Sequence, residues 1–475
     1  MDAWHLAVNL KDVVLDFSIL SLLLIIGSAL RRYVPFFQRF LIPNNIIAGF
    51  LGLLLGAQLL GIFELNSDRL GKYVYHLLAL TFIAIGLRQS KGKWGKGPVN
   101  KSFIELSCYV TQAIIGLIIG FLFIYTIKPE IFAGMGFLLP LGFGMGPGIA
   151  YTMGQSWEKF GFTNGGMVGL TFSVIGFLIA YFVGIIIVNR GIKNRKTEIV
   201  KGPESITEDI RTGVIKNGDP GVAGYLTLSQ EAIEPLAFQA GLIGSVYFLT
   251  YGFIYIITSL MAKAGLADFV DTIWSFHFIF GLLIAVLVRK LMDTTDRGYL
   301  IDRGLMSRLS GLSVDYLIVA SIAAINFTLI KTNIVPVMIM SILAGFSTFF
   351  IIKFTSERVF KDYQFERFIG IFGEMTGTIN SGLVLIRVTD PNFDSPAAED
   401  LAYGGGIALF MGLPLLIMMN LPMTLFDNTL RGYWIVLAMI VAYLIILWFI
   451  WWIVGLLKFK QPTGTPSEGS KPSEG

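Results

Sequence analysis

Long apolar runs, each near the length that crosses a bilayer, alternate with short polar segments along most of this chain. Runs at 12–30, 43–61, 73–88, 105–127 and 164–189 fill its first part. Runs at 236–262, 273–289, 312–330, 334–353 and 399–426 fill its second. About 20 apolar residues carry a helix across the hydrocarbon core, so each run predicts a spanning helix. A further run at 432–457, rich in Trp, Ile and Leu, predicts one more span. Two stretches, 131–156 and 367–390, break the pattern, because Gly and Pro interrupt them too often for an ordinary span. Each is long enough to enter the bilayer halfway and return as a re-entrant hairpin.

The interruptions sit alike in the two halves. The first reads Gly142-Phe-Gly-Met-Gly-Pro-Gly-Ile-Ala-Tyr-Thr-Met-Gly154 and the second Gly373-Glu-Met-Thr-Gly-Thr-Ile-Asn-Ser-Gly382, with Met145 and Ile149 opposite Met375 and Ile379. Gly49-Phe-Leu-Gly-Leu-Leu likewise resembles Gly281-Leu-Leu-Ile-Ala-Val, and Phe82-Ile-Ala-Ile resembles Ser321-Ile-Ala-Ala. Irregular backbone is not tolerated against lipid, where its amides and carbonyls lack partners. Matched broken helices therefore point to a secondary transporter that binds its cargo at the breaks. Five spans per half is an odd number, so the repeats are inverted. The pattern predicts an all-α polytopic membrane protein: two inverted five-span repeats, each with a re-entrant hairpin, plus an extra C-terminal span. Its parts are a first repeat (1–189), a hydrophilic linker (190–233), a second repeat (234–430), the extra span (431–457) and a polar tail (458–475).

Charge adds a direction. With the N-terminus outside, 27 of the 36 Lys and Arg fall in cytoplasmic segments, among them Arg88, Lys91, Lys93, Lys96 and Lys101 between the third and fourth spans. That asymmetry follows the positive-inside rule. It puts the mouth of the first hairpin outside, the mouth of the second inside and the C-terminus in the cytoplasm if 432–457 spans. Charged residues make up only 14% of the chain and mean hydropathy is +0.71, which leaves no case for a nucleic-acid partner. The single Cys108 and three scattered histidines offer no disulfide framework and no metal motif. Neither His-Glu-x-x-His nor Gly-x-Ser-x-Gly occurs, so the chain is not read as an enzyme.

A helix that starts inside the membrane directs free amides and a partial positive charge at its neighbour. Such starts are expected near Gly148 and Asn380, where a substrate carboxylate can dock, with Thr378, Asn380 and Ser381 adding polar contacts. Carbonyl and hydroxyl oxygens suit sodium, which nominates Thr152, Ser156, Asn164 and Thr376, with Gln155 beside them. The same hydroxyls could instead only cap the broken helices. Arg387 carries a charge that costs about 2.5–3.5 kcal/mol in mid-membrane. Its counter-charge is either a substrate carboxylate or Glu374 on the other arm, unless the side chain snorkels to the interface. Glu374 is the ion-pair or coupling candidate. Asp12, Asp16 and Asp315 read as boundary residues, His76 as near the outer boundary, and Tyr433, Trp434 and Trp451 as interface anchors.

Ile42-Pro-Asn-Asn-Ile-Ile-Ala-Gly-Phe, Phe82-Ile-Ala-Ile-Gly-Leu and Trp157-Glu-Lys-Phe-Gly-Phe-Thr-Asn164 resemble the glutamate:sodium symporter family over roughly 12–430. The resemblance implies sodium-coupled import of glutamate or a similar small carboxylate across the bacterial cytoplasmic membrane. It also implies a homodimer in which a unit holding the hairpins moves against a scaffold, like an elevator. Sodium is then a transported ion rather than a resident cofactor. The chain departs from the family at the first tip, Gly142-Phe-Gly-Met-Gly-Pro-Gly, at the charged second tip and in the run 432–457. A citrate- or malate-type carrier coupled to protons or sodium is the neighbouring alternative. A channel is the alternative from another class, though no pore-lining ring motif is present.

Overall fold

The computed structural model describes residues 10–457, apart from 58, 89–94, 201–207, 216–221, 265–269, 327–330, 332 and 391–393. The proposed tail, 458–475, lies outside the described residues, as do Lys91 and Lys93. Every named element among the described residues is helical. The first half contains α1 (Leu10–Tyr33), α2 (Asn44–Leu55), α3 (Ser67–Leu87), α4 (Lys96–Thr126), α5 (Leu138–Phe143) and α6 (Pro147–Ser156), then α7 (Gly165–Lys193). The second half contains α8 (Pro235–Lys263), α9 (His277–Thr294), α10 (Arg303–Ala323), α11 (Ile334–Val359), α12 (Gln364–Thr376), α13 (Ile379–Thr389) and α14 (Ala397–Met411). Two further helices follow, α15 (Leu413–Thr424) and α16 (Leu430–Ile453).

Eight of these helices are long and apolar enough to cross a membrane. Their burial sorts them. The apolar windows of α1 and α8 are only 22% buried and that of α16 28%, against 67% for α4. Large side chains such as Ile25, Phe248, Ile256, Phe346 and Ile445 are left exposed on the outer helices. Apolar faces of this extent are unusual on a soluble protein and fit helices solvated by lipid.

Several boundaries differ from the apolar runs, because hydropathy does not register caps and bends. The run 43–61 yields only α2, 12 residues or about 18 Å long, which is too short to span. α3 starts six residues before its run, where the Asn66 side chain accepts from the Arg69 amide. α10 starts at Arg303 because Asp302 caps the Leu305 amide, and it ends at Ala323. Residues 273–289 are divided between a short helix, Val270–Ser275, and α9. The run 399–426 is two helices, α14 and α15, bent by 41° at Gly412.

Contacts fall into two groups. α3 lies between α9 and α10, α10 also packs on α2, and α8 covers α9. In the other group α4 is central. It touches the turn Ala133–Phe137, α5, α11, α12, α14 and α16. The groups meet where α6 packs on α3 and α10. α16 is fastened to α4: the Trp451 indole N–H donates to Asn100 Oδ1 at 2.9 Å, that of Trp448 donates to Ser107 at 3.0 Å, and Trp451 stacks on Phe103. Trp451 and Tyr433 are therefore buried packing residues rather than interface anchors. Asp16 is also buried, and accepts from Arg69 Nη2 of α3 at 2.8 Å, with Asp12 at 3.4 Å from the same guanidinium. Asp315 accepts from Asn45 at 2.8 Å, and His76 meets the Tyr247 hydroxyl at 2.6 Å.

Candidate functional site

Both interrupted stretches are broken helices, and their breaks meet. The first break is Gly144–Gly146, between α5 and α6. Gly146 has φ 96° and ψ 167°, a region open essentially only to glycine. Pro147 then occupies the first helical position, where its missing N–H costs nothing. The second break is Gly377–Thr378, between α12 and α13. α12 and α13 fold back on each other: a Cβ on Gly373 would lie 2.9 Å from Gly382 Cα. Only a pair of glycines permits that approach, as at many close helix crossings in membranes. A Cβ on Gly146 would lie 3.6 Å from Thr378 Cγ2, so the two breaks face one another.

The two ends at each break are treated differently. The helix starts at Gly146 and Thr378 carry no side-chain cap. First-turn amides such as Gly148, Ile149, Ile379 and Asn380 are then without helical acceptors. On the carbonyl side, α4 faces both breaks. Tyr109 Oη, whose proton goes to Glu105, lies 3.4 Å from Gly144 O, and Gln112 Nε2 donates to Met375 O at 3.2 Å and to Thr348 at 2.8 Å. Thr378 Oγ1 and Thr152 Oγ1 are buried and have no hydrogen-bond partner among the described residues. Uncapped helix starts carry free amides and a partial positive charge, features that suit a hydrogen-bond acceptor of negative charge.

The expected site residues divide on this geometry. Gly148, Thr378, Asn380 and Ser381 lie at the two helix starts, and Ser381 accepts from the Tyr181 hydroxyl at 2.9 Å. Thr152 is on α6 two turns after the break, and Thr376 closes α12 with its hydroxyl donated to Phe372 O at 2.8 Å. Ser156 and Asn164 do not join them. Ser156 ends α6, about 15 Å along the helix from Gly146, and donates to Met153 O; Asn164 precedes α7. Gln155 is exposed. Arg387 lies exposed in the last turn of α13, at the opposite end from the break.

Glu374 pairs with Lys101 and not with Arg387. Its Oε2 lies 2.7 Å from Lys101 Nζ of α4. Lys101 is not in a cytoplasmic loop: it is completely buried, six residues inside the span-forming helix, and also pairs with Glu105. Glu105 Oε1 in turn accepts from Tyr109 Oη at 2.6 Å. The chain Glu374–Lys101–Glu105–Tyr109 thus runs from the arm of the second break to the carbonyl of the first. Lys101, Glu105, Tyr109 and Gln112 recur at helical spacing on one side of α4, and that spacing was the signal available in the sequence. Tyr181 was the other omission. It lies in a π-helical turn, Ile179–Val183, inside α7, a distortion frequent at functional sites. Among the described residues no group of three or more His, Cys, Asp or Glu could hold a metal ion.

No family model, curated protein or solved structure matches this chain.

Proposed function

We propose that this protein is a secondary transporter that moves a small carboxylate, glutamate or a similar acid, together with sodium by alternating access. The observation that carries the reading is the meeting of two uncapped helix starts, Gly146–Pro147 and Thr378–Ile379, inside a polytopic helical bundle. The substrate carboxylate accepts from the amides of those starts, beside Thr378, Asn380 and Ser381. Thr376, at the end of α12, and Thr152, farther along α6, are the oxygen donors for sodium. Arg387 acts elsewhere than at the breaks, for instance on the path of an incoming anion.

The order of elements supports an internal repeat. α1 to α7 are followed by α8 to α14 in the same sequence of long, short and broken helices. Contacts recur in exchanged form, since α2 packs on α10 while α3 packs on α9, and α1 packs on α2 as α8 does on α9. Inverted repeats place the first hairpin's mouth outside and the second's inside, with the N-terminus outside. The group holding α4 to α7 and α11 to α14 is the moving unit, and α2, α3, α9 and α10 belong to the scaffold, which dimerises. A citrate- or malate-type acid is the neighbouring substrate class, because the starts select a carboxylate and not the rest of the molecule.

Ligand-induced stabilisation tests the binding half of this reading. A ligand that binds only the folded state at 100 times its Kd adds about 2.7 kcal/mol. Purified protein is expected to gain thermal stability with glutamate, citrate or malate, and to gain more when sodium is present. Thr378→Ala should weaken that gain while leaving the unliganded melting temperature nearly unchanged. Equal melting temperatures across all the acids, with and without sodium, would remove the binding site from the breaks.

A further inference from the structure

α7 and α11 lie side by side for part of their length and then separate. The first part of α7, Gly165–Leu178, packs on α11. The helices still touch at Ile179, since a Cβ on Gly345 would lie 3.3 Å from Ile179 Cδ1. Ile179 opens the π-helical turn, and beyond it a cavity of about 800 Å³ stands between them. α12 forms its floor with Phe365, Phe368 and Phe372. Phe365 fits because Gly191 has no side chain: a Cβ there would run into the ring.

The walls change character along their length. On α7, Ile179, Val183, Ile186 and Ile187 recur at helical spacing and are followed by Arg190. On α11, Ile342, Phe346 and Phe350 are followed by Lys353, Ser356 and Glu357. Each wall offers roughly 12 Å of apolar lining and then a polar end, and both polar ends open on the same cavity. Lys196 completes that end. The chain turns back after α7, with the Lys196 amide donating to Gly191 O at 3.0 Å and the Glu198 amide to Glu366 at 2.8 Å. Backbone bonds thus hold Lys196 at the rim. Three cations, Arg190, Lys196 and Lys353, stand there against one carboxylate, Glu357. Ser356 is buried, and its hydroxyl has no hydrogen-bond partner among the described residues.

The two ends together define what fits. Val183, Ile186, Phe346 and Phe350 are exposed, so the apolar part opens sideways, on a flank suited to lipid. A soluble anion would match the cations and leave the apolar part empty. An uncharged chain would do the reverse. We propose that this cavity binds one anionic phospholipid, with an acyl chain between α7 and α11 and the phosphate held by Arg190, Lys196 and Lys353. Arginine offers phosphate a paired set of donors, and basic pockets between spanning helices suit anionic headgroups. Ser356 donates to a headgroup oxygen. The lipid comes from the leaflet that faces the C-terminal ends of α7 and α11. Its chain lies against α12, which leads to the second break. Such a site is independent of the transport reading.

Native mass spectrometry of the full chain in uncharged detergent tests the site, with phosphatidylglycerol and phosphatidylcholine of equal chain length as probes. A single phosphatidylglycerol should stay bound per chain, about tenfold tighter than phosphatidylcholine. Arg190→Gln with Lys196→Gln and Lys353→Gln should abolish that preference, and should fold, because all three side chains are exposed. Arg39→Gln with Lys290→Gln and Arg308→Gln, at exposed positions outside the cavity, should keep it. Ile186→Trp, which fills the apolar part, should weaken binding of both lipids. Glycerol phosphate, a headgroup without chains, should leave the melting temperature unchanged. Equal retention of the two lipids overturns the proposal, as does a preference that survives in the first triple variant, or binding untouched by Ile186→Trp. Stabilisation by glycerol phosphate as large as that by phosphatidylglycerol would make this a site for a soluble anion and overturn it too. Cross-linking of two copies through Ile186→Cys, with no lipid retained, would assign the cavity to a second copy and overturn it equally.

Discussion

At the scale of single residues, Lys101 dominates. It contacts the carboxyl groups of two elements, Glu105 of α4 and Glu374 of α12, in a space lined by glycines of a third, α14. Removing one partner of a buried ion pair costs about 3–5 kcal/mol, because the other charge is stranded. Lys101→Met is therefore expected to lower stability by about that amount. The triple change with Glu105→Gln and Glu374→Gln should recover most of it, as thermal unfolding of the three proteins will show. A triple mutant no more stable than Lys101→Met would mean that Lys101 matters for its packing rather than its charge. This residue also shows where reading the sequence failed. Counting lysines toward the positive-inside rule placed Lys101 in a loop, because the apolar run begins only at 105. The helix extends back to Lys96, since polar residues at its start are buried by protein rather than by lipid. Arg387, a charge in an apolar stretch expected to meet a substrate carboxylate or Glu374, is exposed at the end of α13. A hydropathy pattern gives depth along a chain and says nothing of which neighbour shields a charge.

At the scale of elements, the two breaks were legible because glycine and proline act locally. The stretches expected at 131–156 and 367–390 contain the observed breaks at Gly144–Gly146 and Gly377–Thr378. Gly146 holds a backbone conformation worth about 1–3 kcal/mol to any other residue. Gly146→Ala is thus expected to lower thermal stability by roughly that amount. Gly241→Ala is the control, since a Cβ on that glycine meets nothing within 4 Å and alanine favours the interior of α8 by about 1 kcal/mol. An equal effect of the two substitutions would contradict the geometry given for the first break. Helix lengths were less legible. The run at 43–61 gave a helix of 12 residues and the run at 399–426 a bent pair, because composition registers apolarity and not where a backbone turns. α16, which looked like an addition beyond the repeats, is tied to α4 through Trp448 and Trp451. Both indoles donate to polar side chains that no span-finding rule would connect to them.

At the scale of the molecule, α4 joins the parts that the proposed function needs. One of its sides holds the charged cluster and faces the carbonyls of both breaks, and the opposite side, with Asn100, Phe103 and Ser107, receives α16. The group of α2, α3, α9 and α10 touches this unit mainly through α6, and the proposed function has one group shift against the other across that contact. Sodium-driven uptake by the purified chain in liposomes tests that account most directly. With sodium outside and none inside, labelled glutamate or a related dicarboxylate should accumulate above its equilibrium level. Accumulation should saturate with concentration and collapse when the gradient is abolished. Uptake that never exceeds equilibrium across glutamate, citrate and malate, whatever ion gradient is imposed, would contradict it.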